Sequence, residues 1–198
     1  MARLRDDELT EVDGLLVTDP VRTLLDLART EPFEPAVAAL DAALFRKAVP
    51  GDLLAARLED IGGTSGGRAA ARAVAFADGR SESVGESRSR VLMRRLGLPP
   101  STIQLEIAVV TGPSPTRVDF AWEEARLVGE FDGRVKYGRL LLPGQDPGDA
   151  VFREKRREDA IRDENWGVVR WTWGELVPGD VVGNRVRRGL DRGRRRAG

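Results

Sequence analysis

Three apolar-rich segments, TIQLEIAVV (residues 102–110), TRVDFAW (116–122) and RLVGEFD (126–132), follow one another with little chain between them. Each alternates well enough for a strand, and GPSP and EEA between them read as turns. Strands joined by turns this short run antiparallel, so the stretch is constrained to a three-stranded meander. Helical patterns flank it. SESVGESRSRVLMRRLGL comes before and stops at Leu98-Pro99-Pro100. A Gly- and Pro-rich loop, Gly133 to Gly148, leads into DAVFREKRREDAIRDENW, a second helix. GVVRWTW is a fourth strand beside the third, and a last helix runs roughly from Gly183 to Arg194. The order is helix, three strands, helix, strand, helix, which places the chain in the α/β class as an α+β arrangement on a mixed sheet.

The first 78 residues have another character. EVDGLLVT, with its Asp13-Gly14 pair, reads as the remnant of a hairpin or a short strand. Asp19-Pro20 is a strong helix start, Asp as N-cap and Pro at the first helical position. VRTLLDLART then repeats apolar residues at Val21, Leu24, Leu25 and Ala28. FEPAVAALDAALFRKAV, GDLLAARLED and GGRAAARAVAFAD supply further helices. Residues 1–78 are therefore expected to form a small helical domain without catalytic residues, and residues 79–198 a second domain ending in a basic tail.

Composition excludes much of the usual chemistry. The chain has no cysteine and no histidine. Disulfides, thiolate metal sites, a Ser-His-Asp triad and histidine-ligated zinc are ruled out, leaving carboxylates, lysine, tyrosine, hydroxyls and a hard metal. No apolar run is long enough to span a membrane, and the acidic N-terminus lacks a signal-peptide stretch. A cytoplasmic protein is expected. The formal net charge is zero, yet residues 1–78 hold 9 basic and 14 acidic side chains, and residues 79–198 hold 23 and 18. A positive second half, finishing in NRVRRGLDRGRRRAG, fits a surface that meets nucleic acid; it also fits a basic terminus that only aids solubility.

Within the meander, alternation places Asp119 on one face with Arg117 and Ala121, and Glu130 and Asp132 on one face with Val128. Pairing through the EEA turn sets Asp119 close to Glu130. Two juxtaposed carboxylates need a cation between them, and Mg²⁺ takes one or two carboxylates together with waters and phosphate oxygens. Mg²⁺, with Mn²⁺ as its substitute, is the expected cofactor. Glu86 has two readings, support for that site or a capping box with Ser83. Lysine is scarce, three residues against twenty-nine arginines, yet Lys136 follows Asp132-Gly133 closely and Lys155 lies on the helix after the loop. An ammonium can give up a proton, which a guanidinium cannot. Trp166, Trp171 and Trp173 are read as core residues before base-stacking ones.

An acidic residue on the first helix, an Asp on the second strand and Glu-x-Asp ending the third resemble the PD-(D/E)XK nuclease superfamily. ESRSRVLMRRLGLPP, RVDFAW, GEFDGRVKYG and REDAIRDENWGVVRWTW resemble, within it, a domain of unknown function related to the very-short-patch repair endonuclease. The likeness covers residues 81 to about 192. Upstream, GLLVTDPVRTLLDLART is similar to the helical segment of AbiEi-type antitoxin or regulator proteins, in which a winged helix usually comes first.

The resemblance implies a restriction-endonuclease-like αβββαβ core preceded by a small all-helical domain, and metal-dependent hydrolysis of DNA phosphodiester bonds. It makes Asp119, Glu130 and the carbonyl of Phe131 the metal ligands, with Glu86 in support. Asp132 stands where the superfamily has its lysine, so Lys136 or Lys155 would take that part. Arg134, Arg153, Arg156 and Arg157 would track phosphates. The expected partner is DNA, with a protein partner or a second copy left open. A regulator that keeps the fold and binds without cutting is the competing expectation.

Overall fold

The computed structural model describes residues 4–112, 114–133 and 147–197, and it resolves into two compact units, Met1–Arg88 and Ser89–Gly198. The division falls inside a helix, whereas the change in sequence character lies at 78/79.

The first unit begins with a hairpin, β1 (Leu9–Val12) and β2 (Leu15–Thr18), paired Val12 with Leu15 and Leu9 with Thr18. Asp13 and Gly14 make the two-residue turn at φ 52° and 78°, values that suit an Asp-Gly pair. This hairpin corrects the expectation of an all-helical first domain. Helices α1 (Pro20–Thr30), α2 (Phe33–Phe45), α3 (Gly51–Ile61) and α4 (Gly67–Phe76) make up most of the rest. Asp19 caps α1 by accepting the Arg22 N–H at 2.7 Å, with Pro20 in the first turn. Val21, Leu24, Leu25 and Ala28 face inward from α1, as their spacing predicts. Buried Glu8, just ahead of β1, pairs with buried Arg22 at 2.9 Å and ties the hairpin to the helix.

Helix α5 (Val84–Arg95) crosses from one unit to the next. The second unit is a four-stranded mixed sheet in the order β3 (Thr102–Ile107), β4 (Thr116–Trp122), β5 (Leu127–Asp132), β6 (Gly167–Thr172). The first three strands are antiparallel neighbours, and β6 joins β5 in parallel after α6 (Pro147–Asp163). The chain closes with α7 (Asp180–Ala197), longer at both ends than its apolar pattern indicated. The first strand stops at Ile107, short of Val110, which is almost fully exposed.

Each sheet face has its own core. One gathers Leu92 and Met93 of α5, Ile103, Phe120, Trp122, Leu127, Val169 and Trp171, and Val182 and Val186 of α7. The other gathers Ile107, Val118, Ala121 and Val128 with Ala160 and Ile161 of α6. Trp171 stacks on Phe120 with ring centroids 5.4 Å apart, and its indole N–H donates to Ser89 Oγ at 2.8 Å. Gly129 lies under it, where a Cβ would come within 2.6 Å of the Trp171 ring. Trp171 is therefore core, Trp166 is partly buried against the second core, and Trp173 is more exposed, edge-on to Phe131 at 4.8 Å.

Candidate functional site

The β4–β5 ladder pairs Trp122 with Leu127, Ala121 with Val128 and Phe120 with Gly129. The paired register ends there; Asp119 and Glu130 are the next residues on the two strands, and Glu130 meets α6 through Arg157. Asp119 Oδ2 accepts the Phe131 N–H at 2.7 Å, so the next strand orients this carboxylate through its backbone. Phe131, expected to lend a carbonyl, thus supplies a donor to Asp119. Asp132 lies two residues beyond Glu130, half-buried, at the register position of Thr172.

Glu130 is 8 % exposed and holds two cations. Its Oε1 accepts from Arg157 of α6 at 2.6 Å, and its Oε2 pairs with Arg170 at 2.7 Å. Arg170 faces it directly across the parallel ladder. Both guanidinium groups have further acceptors: Arg157 reaches the Arg117 carbonyl and Glu154, and Arg170 reaches Glu154. Arg170 Nε lies 3.2 Å from Glu158 Oε2, an ion-pair distance without hydrogen-bond alignment. Glu158 pairs in turn with Arg162 at 2.6 Å. Carboxylates and guanidinium groups alternate, each buried charge next to its opposite, which is the condition for burying charge at tolerable cost.

The titration behaviour follows from this network. Desolvation pushes the Glu154 carboxyl up, but the Arg170 guanidinium beside it, helped by Arg157, more than offsets this and holds it below the usual range. Burial acts to lower Arg170, and the charges of Glu130, Glu154 and Glu158 raise it further than burial lowers it. Nearby, the hydrogen bond from Arg185 holds Glu175 down against a smaller desolvation effect.

Glu86 belongs to the first unit, where its carboxylate accepts from the Ser83 hydroxyl at 2.7 Å and the Glu82 N–H at 3.0 Å, and its own N–H donates to Ser83 Oγ. Arg153, Lys155 and Arg156 are exposed on α6. Lys136 and Arg134 lie outside the described residues. One further residue, Arg170, belongs to the site, and Gln104 marks an irregularity in β3. Arg170 is visible in the sequence only as a lone charge in the apolar strand GVVRWTW. Gln104, at φ 54° within β3, takes a left-handed conformation at the register position opposite Asp119, and the ladder skips that pair. No sequence signal marks it.

These residues do not fit a resident Mg²⁺ as they stand. Both oxygens of Glu130 carry a guanidinium, so a divalent ion bound there would sit against two positive charges. Among the described residues no three carboxylates converge as a metal-holding group. The cations beside Glu130 are here two arginines.

The chain is 32 % identical over 188 residues to an uncharacterized protein found in each of two strains of Mycobacterium tuberculosis. The alignments cover 94 % of this chain and 66 % of each relative, so the chain spans just under two thirds of the length of the curated relatives it matches. No protein-family model and no solved structure matches it. Among the described residues no helix is long and apolar enough to cross a membrane.

Proposed function

We propose that the chain is a DNA-binding regulator that keeps an endonuclease-like arrangement of elements and does not hydrolyse its ligand. The observation that carries this reading is the occupation of Glu130 by Arg157 and Arg170. A carboxylate held in this way ties α6 and β6 to β5, and two positive charges beside it make it a poor ligand for a metal that would polarise a phosphate. Asp132, where the resemblance expects a lysine, adds negative charge at the place where a phosphate would need a positive one. Affinity for DNA rests on exposed cations; Arg153 and Arg156 on α6 are open to solvent.

One observation favours a second reading, a Mg²⁺-dependent endonuclease. Asp119 and Glu130 each lie one residue beyond the last paired position, Phe120 with Gly129, on adjacent strands, where a shared cation would draw on both. The two readings part in one experiment. Supercoiled plasmid and a labelled duplex are incubated with the full chain in Mg²⁺, in Mn²⁺ and in EDTA. The regulator reading expects binding of equal strength in all three, no nicking, and no metal-induced rise in melting temperature. Metal-dependent nicking that Asp119→Ala abolishes would overturn it in favour of the enzyme.

A further inference from the structure

We infer that the exposed face of α7 is a docking surface for the phosphate backbone of duplex DNA, with Arg188, Arg192 and Arg195 as its central contacts. The inference rests on the DNA-binding reading and locates the surface. Between Arg187 and Ala197 the helix carries six arginines, all exposed, against a single carboxylate, Asp191. At 100° per residue, Arg188, Arg192 and Arg195 fall within about 60° of one another and clear of the buried positions Val182, Val186 and Gly189, with Asp191 flanking the stripe. Arg157, Arg162, Arg170 and Arg185, by contrast, are held in ion pairs within the unit. None of the three stripe arginines pairs with a described residue.

The plainest alternative is a frayed basic tail, and the packing argues against it. Three glycines bring α7 close to its neighbours: a Cβ at Gly183 would come within 2.8 Å of Leu96, and one at Gly189 within 2.8 Å of Leu127. At Gly193 a Cβ would run into the Ala125 carbonyl. The helix is seated almost to its end, so the arginines stand on a rigid support and lose little backbone freedom on binding. A second alternative is that arginines near a helix C-terminus merely complement its dipole. That accounts for Arg194, Arg195 and Arg196 in the last turn, but not for Arg188 and Arg192 before it.

The spacing suits a nucleic-acid strand. Seven residues of helix separate Arg188 from Arg195, about 10 Å along the axis, so the three long side chains can spread over neighbouring phosphates of one strand. Helix α6 lies on the other face of the sheet, so Arg153 and Arg156 belong to a different surface.

The test is the salt dependence of binding to a short fluorescein-labelled duplex, followed by anisotropy. It uses the wild-type chain, a triple variant (Arg188→Gln, Arg192→Gln, Arg195→Gln) and a double variant (Arg153→Gln, Arg156→Gln). The replaced side chains are exposed, and circular dichroism melts confirm that each variant folds. The slope of log K against log salt is expected to fall in magnitude by about 3 in the triple variant, near 0.9 for each phosphate that is no longer neutralised. The double variant is expected to keep a steeper slope than the triple. A triple variant that retains the wild-type slope overturns the inference while leaving DNA binding in place. Wild type without salt-dependent binding overturns the DNA-binding reading, and the inference with it.

Discussion

Glu130→Gln separates an ion-pair hub from a metal ligand. The side chain is almost fully enclosed and receives charged hydrogen bonds of 2.6 and 2.7 Å from two arginines. A hydrogen bond to a charged group contributes about 1.5–3 kcal/mol. Glutamine keeps one acceptor oxygen but turns its amide donors towards a guanidinium. Arg170 retains Glu154 and Glu158, and Arg157 retains Glu154 and the Arg117 carbonyl, so neither cation is stranded. The loss is therefore set at about 2–3 kcal/mol, below the 3–5 kcal/mol of a buried charge left without any partner. For a unit of this size that is roughly 8–12 °C in melting temperature, at about 4 °C per kcal/mol. Tryptophan fluorescence in urea or on heating is the assay, because Trp122, Trp166, Trp171 and Trp173 all lie in the second unit and report on it alone. The measurement is made in EDTA. Two carboxylates kept together for an ion repel one another when the ion is withheld, so under the metal reading Glu130→Gln leaves stability unchanged or raises it. That result would refute the ion-pair hub. A cycle with Arg170→Gln should show coupling of about 1 kcal/mol or more.

Two other outcomes follow from the same unit. Gly129→Ala should lower stability by about 2–3 kcal/mol, because the added methyl meets the Trp171 ring at 2.6 Å, and an unchanged urea midpoint would contradict the packing described. Acid should weaken the fold in a defined direction: Glu154 and Glu175 have folded-state pKa values below their usual range, so the unfolded chain binds more protons. Their contribution is complete above about pH 5 and is lost as pH falls through the depressed values. Arg185→Gln should make that acid slope shallower, and a slope identical to wild type would remove Glu175 from the account.

Much of the frame was legible because it depends on local chemistry. Short turns fixed the meander, and Asp19-Pro20 marked the start of α1. The antiparallel pairing of β4 with β5 followed from a turn of known length. The identity of the cation beside Glu130 was not legible. Electrostatics demands positive charge there, but whether an ion or a guanidinium supplies it depends on Arg157 and Arg170, which are remote from Glu130 in the sequence. In a chain with twenty-nine arginines, no pattern marks the two that turn inward. Gln104 was hidden for a different reason, since a left-handed residue within a strand follows from its neighbours and not from its own type.

The order of strands in the sheet is also their order of synthesis, and this shapes how the second unit assembles. β4 and β5 each find a partner just behind them as the chain emerges. β6 does not, because the polypeptide must first travel from Asp132 to Gly167. Throughout that interval β5 presents an open edge of unpaired N–H and C=O groups, with the recess over Gly129 unfilled. Closing so long a connection is the entropically costly step, and Trp171 arrives only with it. A nascent or truncated chain ending before β6 would therefore offer a sticky strand edge to any neighbour. The docking of β6 commits the sheet to its final form and protects it from aggregation.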